Sequence, residues 1–515
     1  MPEDDVPAHA GRPAVRLSVG AAPEDGRSTL IERIAGHDGI AVVNAAGRVD
    51  NPEDTAKDAA QADVSVIMVD ARSGLTAHTK QVAACACMTG VRHLVLAVNK
   101  LDLVGWDQHA FQTIAEAFRT FTAHLGPATT TAVPVSALAG ENIETPSAHT
   151  TWYDGPPLIA LLRAIDLDPD RAARLCAALD AFLTEQNVPG GVVGARSADG
   201  ATHVCAGGNA VVAGSDPVLD PARPMTTTDR FRIGSVSKTF TAAAILLLRD
   251  DGVLTLDDPL SRWVPGFGTD PTLAEVLNHT SGLGEYLFED VVQSERTRVW
   301  TDAELLDVAR SKPPTDAIGA RFRYSNTNYL VAGAVITAAS GMPWPEFLRT
   351  RLIDPHGLDD TFVAGYETVE GGRAEGYDVT GDAPVEVAST FHQTVASGAG
   401  AMVSDGDDLL RWAHALYSGE VFSADGLRDM NVTFRVPHAH DDGIYEGSFV
   451  SLGNFIGTDD EFGDVYGHAG GTQGFSSNMR YLERDGIAQV LLINATITSE
   501  QENALRGALW EALLL

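Results

Sequence analysis

The sequence predicts an α/β chain in two parts: a parallel sheet with crossover helices, then an antiparallel sheet interrupted by a long helical middle. Three observations carry this. Residues 14–165 alternate short apolar runs with helical stretches, as βαβ units do. The texture changes at "DLDPDRAARL", 166–175, a charged, proline-containing hinge that opens a helix. Strand-like runs then stand at both ends of the remaining sequence, with helical segments between them. The expected domains are 1–165 and 172–515, and a chain of 515 residues has ample core for both.

In the first part the strands read "AVRLSV", "GIAVV", "VSVIMV", "HLVLAV" and "TAVPVSA". Such continuous apolar runs suit strands covered on both faces. In the second part an amphipathic helix leads into "GGVVGARSADGATHVCAGGNA", a hairpin turning at Asp199-Gly200. The apolar run "TAAAILLLRDDG" is stopped by Arg249, short of membrane-spanning length. "SNMRYLE", "IAQVLLINA" and a terminal helix close the chain, so distant segments must pair to complete the sheet.

The charge balance excludes two classes of partner. With 70 acidic residues against 36 basic, the net charge is −34, which repels nucleic acid and anionic membranes. Only five lysines occur (Lys57, Lys80, Lys100, Lys238 and Lys312), a bias that suits either a GC-rich genome or salt adaptation. No basic stretch followed by an apolar one opens the chain, so no secretory signal is expected. Cys85, Cys87, Cys176 and Cys205 fit neither a disulfide framework nor a paired zinc pattern, and Cys85 and Cys87 read as small core residues. Together these features predict a reduced, cytoplasmic protein.

"GAAPEDGRSTL", Gly20 to Leu30, has the outline of a phosphate-binding loop, but Ala21 holds the first glycine position and Arg27 the lysine position. "LAVNKLDLV" contains Asn99, Lys100 and Asp102; an aspartate so placed can accept two hydrogen bonds from a guanine edge while the lysine stem packs on the ring. In "VPVSALAGEN", Ser136 opens a Ser-Ala-Leu turn able to brace the base. Together with "DARSGLTAHTKQVAACACMTGVRHLVLAVNKLDLV" these resemble the GTPase domain of translation-factor type, and within it the GTP-binding subunit of sulfate adenylyltransferase. The likeness covers about 150 residues. It implies a residual guanine-nucleotide site at Asn99, Lys100, Asp102 and Ser136. The departures are specific. In "VVNAAGRVD", Asn44 replaces the acid that holds Mg²⁺ through water, and Arg48 replaces the histidine that positions the attacking water. Only 16 positions separate Ser28 from Asn44, too few for a first switch region. Phosphoryl transfer needs Mg²⁺ and preorganised positive charge, so this domain is expected to be a relict that hydrolyses no GTP.

The second part carries "FRIGSVSKTFTAAAILLLRDDG", with Ser235 and Lys238 at i and i+3 of a helix, on one face. "GARFRYSNTNYLVAG" adds Tyr324 and Asn326; a tyrosine beside cations can act as a base, and Asn326 can orient Lys238 or a substrate amide. "VYGHAGGTQGFSS" adds His468 and Gly471, a strand that would set the Gly471 N–H opposite that of Ser235 as an oxyanion hole. In this order, with "VLNHTSGLGEY" between the first two, the motifs resemble the penicillin-recognising serine hydrolases: class C β-lactamases, D-Ala-D-Ala carboxypeptidases and related esterases.

The resemblance spans about 172–515 and implies Ser235 as nucleophile, Lys238 and Tyr324 sharing its proton, and Asn326 as positioner. His468 stands where class C β-lactamases carry lysine, as in the family's peptidases and esterases. His279 reads as structural, and His438 and His440 as solvated loop. The expected function is a serine hydrolase or acyltransferase without cofactor or metal, passing an acyl group from a small ester or amide to water or an amine. A true β-lactamase or carboxypeptidase, and a guanine-nucleotide-regulated binding protein, stay open beside it. Oligomeric state is left open.

Overall fold

The computed structural model describes residues 15–514 apart from 22–24, 36, 38–39, 43–61, 90, 92, 126–128, 154, 166–170, 199, 214–221, 382, 432–433, 436–448 and 460–462. The chain forms two compact units, Met1–Asp168 and Pro169–Leu515. Asn44, Arg48, His438 and His440 lie outside the described residues.

In the first unit, β1 (Val15–Ala21), β2 (Ile40–Val42), β3 (Val64–Asp70), β4 (His93–Asn99) and β5 (Thr129–Pro134) form one parallel sheet in the order β2-β1-β3-β4-β5. Every residue of β3 and β4 is buried, as their unbroken apolar runs require. The period of two splits β3 between the faces. Val66 and Met68 pack with Leu30 and Ile34 of α1 (Arg27–Ile34), while Ile67 and Val69 pack with Val82 of α2 (Ala77–Met88). On that second face α3 (Gln108–Thr122) buries Phe111, Ile114 and Phe118 at helical spacing, and Asp107 caps it by accepting from the His109 N–H at 2.8 Å.

In the second unit, α4 (Arg171–Glu185) packs on the hairpin of β6 (Gly190–Arg196) and β7 (Thr202–Val211). Gly200 of the expected turn stands at φ +85°, and Asp199 lies outside the described residues. Among the described residues nine strands make the sheet. After β8 (Arg223–Pro224) come β9 (Phe434–Arg435), β10 (Phe449–Val450), β11 (Phe455–Asp459), β12 (Gly463–Thr472), β13 (Phe475–Leu482) and β14 (Ile487–Ile493), in the order β9-β10-β11-β12-β13-β14-β6-β7-β8. The β14–β6 pairing, Ile493 opposite Gly191, joins the two ends of the unit as the strand pattern predicts. In front of the sheet, α5 (Ser237–Asp250) is buried on almost every side, so its sequence is apolar all round rather than striped. It packs against α6 (Thr327–Ser340), equally apolar.

One expectation is overturned. Cys176 and Cys205 form a disulfide, because the hairpin carries β7 back over α4 and brings the two Cα atoms to 5.3 Å. Partners 29 residues apart on a helix and a returning strand leave no spacing signature. The cysteine argument for a reducing compartment fails with it. Cys85 and Cys87 are free and half-buried. Among the described residues no helix is long and apolar enough to cross a membrane.

Candidate active site

Ser235 sits on a single 3₁₀ turn, Gly234–Val236, which runs into α5. Gly234 has φ +48°, and a Cβ there would lie 2.8–3.0 Å from the backbone of Gly471. Glycine is what lets the turn press against β12. One helical turn on, the Lys238 ammonium is fully enclosed and donates to three acceptors: Ser235 Oγ at 2.9 Å, Asn326 Oδ1 at 3.0 Å and the Ala399 carbonyl at 2.8 Å. Burial pulls its pKa down to about 7, against the opposing pull of the Glu285 charge. From the other side the Tyr324 hydroxyl donates to Ser235 Oγ at 2.7 Å, and the Tyr324 ring lies 4.8 Å from Lys238 Nζ. Ser235, Lys238, Tyr324 and Asn326, from two distant segments of the sequence, thus meet in one hydrogen-bonded network.

The neighbours fix these groups. His279, at φ +62°, stacks on the Tyr324 ring with centroids 4.4 Å apart. Its Nδ1 accepts from the Ser325 N–H at 3.2 Å, which supports the structural reading of this histidine. His468 lies on β12, 3% exposed, with its ring 4.9 Å from Phe455 and 6.2 Å from Tyr324. Burial and then the Lys238 charge depress its pKa to about 3, so the imidazole is neutral at pH 7. Gly471, unlike His468, faces a cavity of about 230 Å³ that also opens onto Ser235, Tyr324 and Asn326. Its walls include Leu287, Phe288 and Phe391, with Gln293, Thr472 and Gln473. Among the described residues this wall carries no charged side chain. A hydroxyl held between an amine and a phenol, at the mouth of a neutral cavity, is equipped for acyl transfer.

The family model for beta-lactamase matches residues 175–514. The chain belongs to the β-lactamase family. It resembles penicillin-binding protein 4* of Bacillus subtilis, 28% identical over 306 residues, which cover 56% of this chain and 65% of that protein. Among solved structures it resembles the D-amino acid amidase of Ochrobactrum anthropi SV3 complexed with L-phenylalanine amide. That match has a TM-score of 0.58 and 26% identity, covering 67% of this chain and 98% of the amidase. The second unit has the β-lactamase fold, and the family resemblance read in its sequence holds.

The sequence before that domain resembles a second family. The elongation factor Tu GTP-binding domain model matches residues 28–184. Sulfate adenylyltransferase subunit 1 of Methylorubrum populi is 39% identical over 132 residues, which cover 26% of this chain and 28% of that subunit. The chain therefore spans little more than a quarter of this relative.

Asn99 is buried and braces the first unit: its Nδ2 donates to the Asp25 carbonyl at 2.7 Å, and its Oδ1 accepts from the Ala137 N–H at 2.8 Å. Lys100, at φ +60°, pairs with Asp70 at 3.0 Å. Hydrogen bonding from Arg72 first, opposed by burial, holds the Asp70 carboxyl well below the usual range, with Lys100 adding to the effect. Asp102 is exposed and Ser136 buried, with the Ser136 carbonyl closing the turn to Gly140 at 2.8 Å. Arg27, in the lysine position, turns its Nε to the Val19 carbonyl of β1 at 2.7 Å. Sequence reading overlooked one residue at the serine centre. Glu285, within the quoted "VLNHTSGLGEY", accepts from the Asn326 N–H at 2.6 Å and the Leu287 N–H at 2.7 Å.

Proposed function

We propose that this protein forms an acyl-enzyme on Ser235 from a small, uncharged ester or amide and passes the acyl group to water or an amine. The carrying observation is the serine oxygen held between Lys238 and Tyr324. With a pKa near 7, Lys238 is substantially a free amine at neutral pH. It takes the Ser235 proton as Oγ bonds to the substrate carbonyl carbon. The carbonyl oxygen becomes an oxyanion beside the backbone N–H groups of Ser235 and Gly471; the close packing of Gly234 on Gly471 supports this pairing. The bond to the leaving group then breaks as Tyr324 gives it a proton; the Lys238 ammonium charge steadies the phenolate, which takes its proton back from the attacking water or amine while Lys238 returns its own to Ser235. Water or an amine attacks the ester by the reverse path.

The uncharged cavity wall supports a neutral substrate, and the amidase structure with a bound amino-acid amide supports the amide class. The test is intact-mass profiling with p-nitrophenyl butyrate, D-phenylalanine amide and nitrocefin. A stoichiometric acyl adduct is expected on the wild type and none on Ser235→Ala. An adduct that survives the substitution sinks the assignment. For the first unit we propose no GTP hydrolysis, since Arg27 is turned back to β1. A turnover number that disappears in Asp102→Asn would reverse that.

A further inference from the structure

Among the described residues, the carboxylate of Glu285 touches the serine centre through Asn326 alone. Its Oε2 accepts from both the backbone N–H of Asn326, at 2.6 Å, and the side-chain Nδ2 of Asn326, at 3.3 Å. Its Oε1 accepts from the Leu287 N–H at 2.7 Å, which holds the carboxylate in place. An asparagine amide has a donor end and an acceptor end, and an ionised carboxylate can only accept. Both carboxylate oxygens already accept from backbone N–H groups, so the NH₂ end of Asn326 faces Glu285 and Oδ1 faces Lys238.

That orientation has a chemical result. Lys238 Nζ meets two groups that can only accept, Asn326 Oδ1 and the Ala399 carbonyl. They take two of its hydrogens whether the lysine is charged or neutral. The remaining tetrahedral position faces Ser235 Oγ at 2.9 Å. It holds a hydrogen in the ammonium form and the lone pair in the amine form. Were Asn326 flipped, its NH₂ would draw the lone pair away from Ser235, and the amine would point at the wrong partner.

We propose that Glu285 is a positioning residue that fixes the Asn326 amide and thereby aims the Lys238 lone pair at Ser235. This rests on the acyl-enzyme reading above and adds a member that does not touch substrate. The charge of Glu285 also favours the Lys238 ammonium against burial, while Lys238 reciprocally favours the Glu285 carboxylate, whose pKa burial pushes up. The other groups facing Lys238 are the rings of Tyr324 and Tyr329, at 4.8 and 5.5 Å, and the neutral His468. Tyr286, next to Glu285, is held protonated by burial first and then by the Glu285 charge.

The experiment is the pH dependence of p-nitrophenyl butyrate hydrolysis in the full-length wild type, Glu285→Gln, Glu285→Asp, Asn326→Ala and the Glu285→Gln/Asn326→Ala double variant. Glu285→Gln removes a negative charge that supports the ammonium, so the acidic limb governed by Lys238 moves to lower pH. Its kcat falls by about ten- to a hundredfold through misorientation. Glu285→Asp keeps the charge, so its limb stays at the wild-type position although kcat drops. In the Asn326→Ala background Glu285→Gln costs no more than about twofold, because the residue acts through Asn326. An unmoved limb in Glu285→Gln, or a full additive loss in the double variant, overturns the proposal. If Ser235→Ala keeps wild-type turnover, the acyl-enzyme reading itself falls and takes this one with it. If Ser235 is required and the Glu285 readouts do not move, only the present proposal falls.

Discussion

Two regions of this chain carry family signatures, and each has fared differently. In the second unit Ser235, Lys238, Tyr324 and Asn326 converge on one hydrogen-bonded centre. In the first, Asn99 is fully engaged, but its partners are backbone groups of Asp25 and Ala137, so it serves as a brace between loops. The residue in the phosphate-binding lysine position, Arg27, bonds to its own sheet. A motif residue that also holds the fold can outlast its chemistry. Its presence says less about function than a buried ionisable side chain bonded directly to a nucleophile. Lys238, a fully buried amine whose hydrogens all point at the centre, is of the second kind.

The largest expected difference between the two regions is catalytic. Lys238→Ala and Tyr324→Phe should each lower kcat/KM for p-nitrophenyl butyrate by at least about a hundredfold, the scale of general acid–base help. The wild-type rate should rise with pH through a limb near 7, because the folded pKa of Lys238 is depressed and its neutral form is the active one. Wild-type rates in either variant, or a limb near the ordinary lysine value, would show that the proton path is wrong.

The next effect is one of stability. Asn99→Ala leaves the buried Ala137 N–H and Asp25 carbonyl without their shared partner. Unsatisfied buried groups cost about 1–3 kcal/mol each, so differential scanning calorimetry should show an earlier melting transition. Acylation of Ser235 at 25 °C should be unchanged. If melting is unaltered while guanine-nucleotide binding is lost, Asn99 serves a ligand rather than the fold.

The comparison also shows what a sequence can disclose. The parallel sheet was legible because unbroken runs such as "VSVIMVD" have no other stable home than a strand covered on both sides. Ser235 and Lys238 were legible because their meeting depends only on helical pitch. Tyr324, Asn326 and Gly471 were legible by family resemblance, which supplies long-range contacts that spacing cannot. Glu285 and the Cys176–Cys205 bond were missed for one shared reason. Each depends on where a loop or hairpin returns in space, and neither leaves a periodic or motif signal in the chain.

The smallest predicted effect concerns what the cavity accepts. A β-lactam antibiotic brings a carboxylate, which profits from a fixed cation beside the serine. Here the third-motif position holds His468, a neutral imidazole with a pKa near 3 and only 3% exposed. It does not stand among the groups lining the cavity, whose described walls carry no charge. Lacking a charge-assisted hydrogen bond of roughly 1.5–3 kcal/mol, an anionic β-lactam loses about ten- to a hundredfold against an equally reactive neutral acyl donor. The net charge of −34 adds a longer-range repulsion that salt screens. Kcat/KM for p-nitrophenyl acetate or butyrate should therefore exceed that for nitrocefin or benzylpenicillin, and the gap should shrink between 0.01 and about 1 M salt without closing. Nitrocefin as the faster substrate in the wild type would mean that a cation outside the described residues anchors the carboxylate, and the ester or amide reading would give way to a plain β-lactamase.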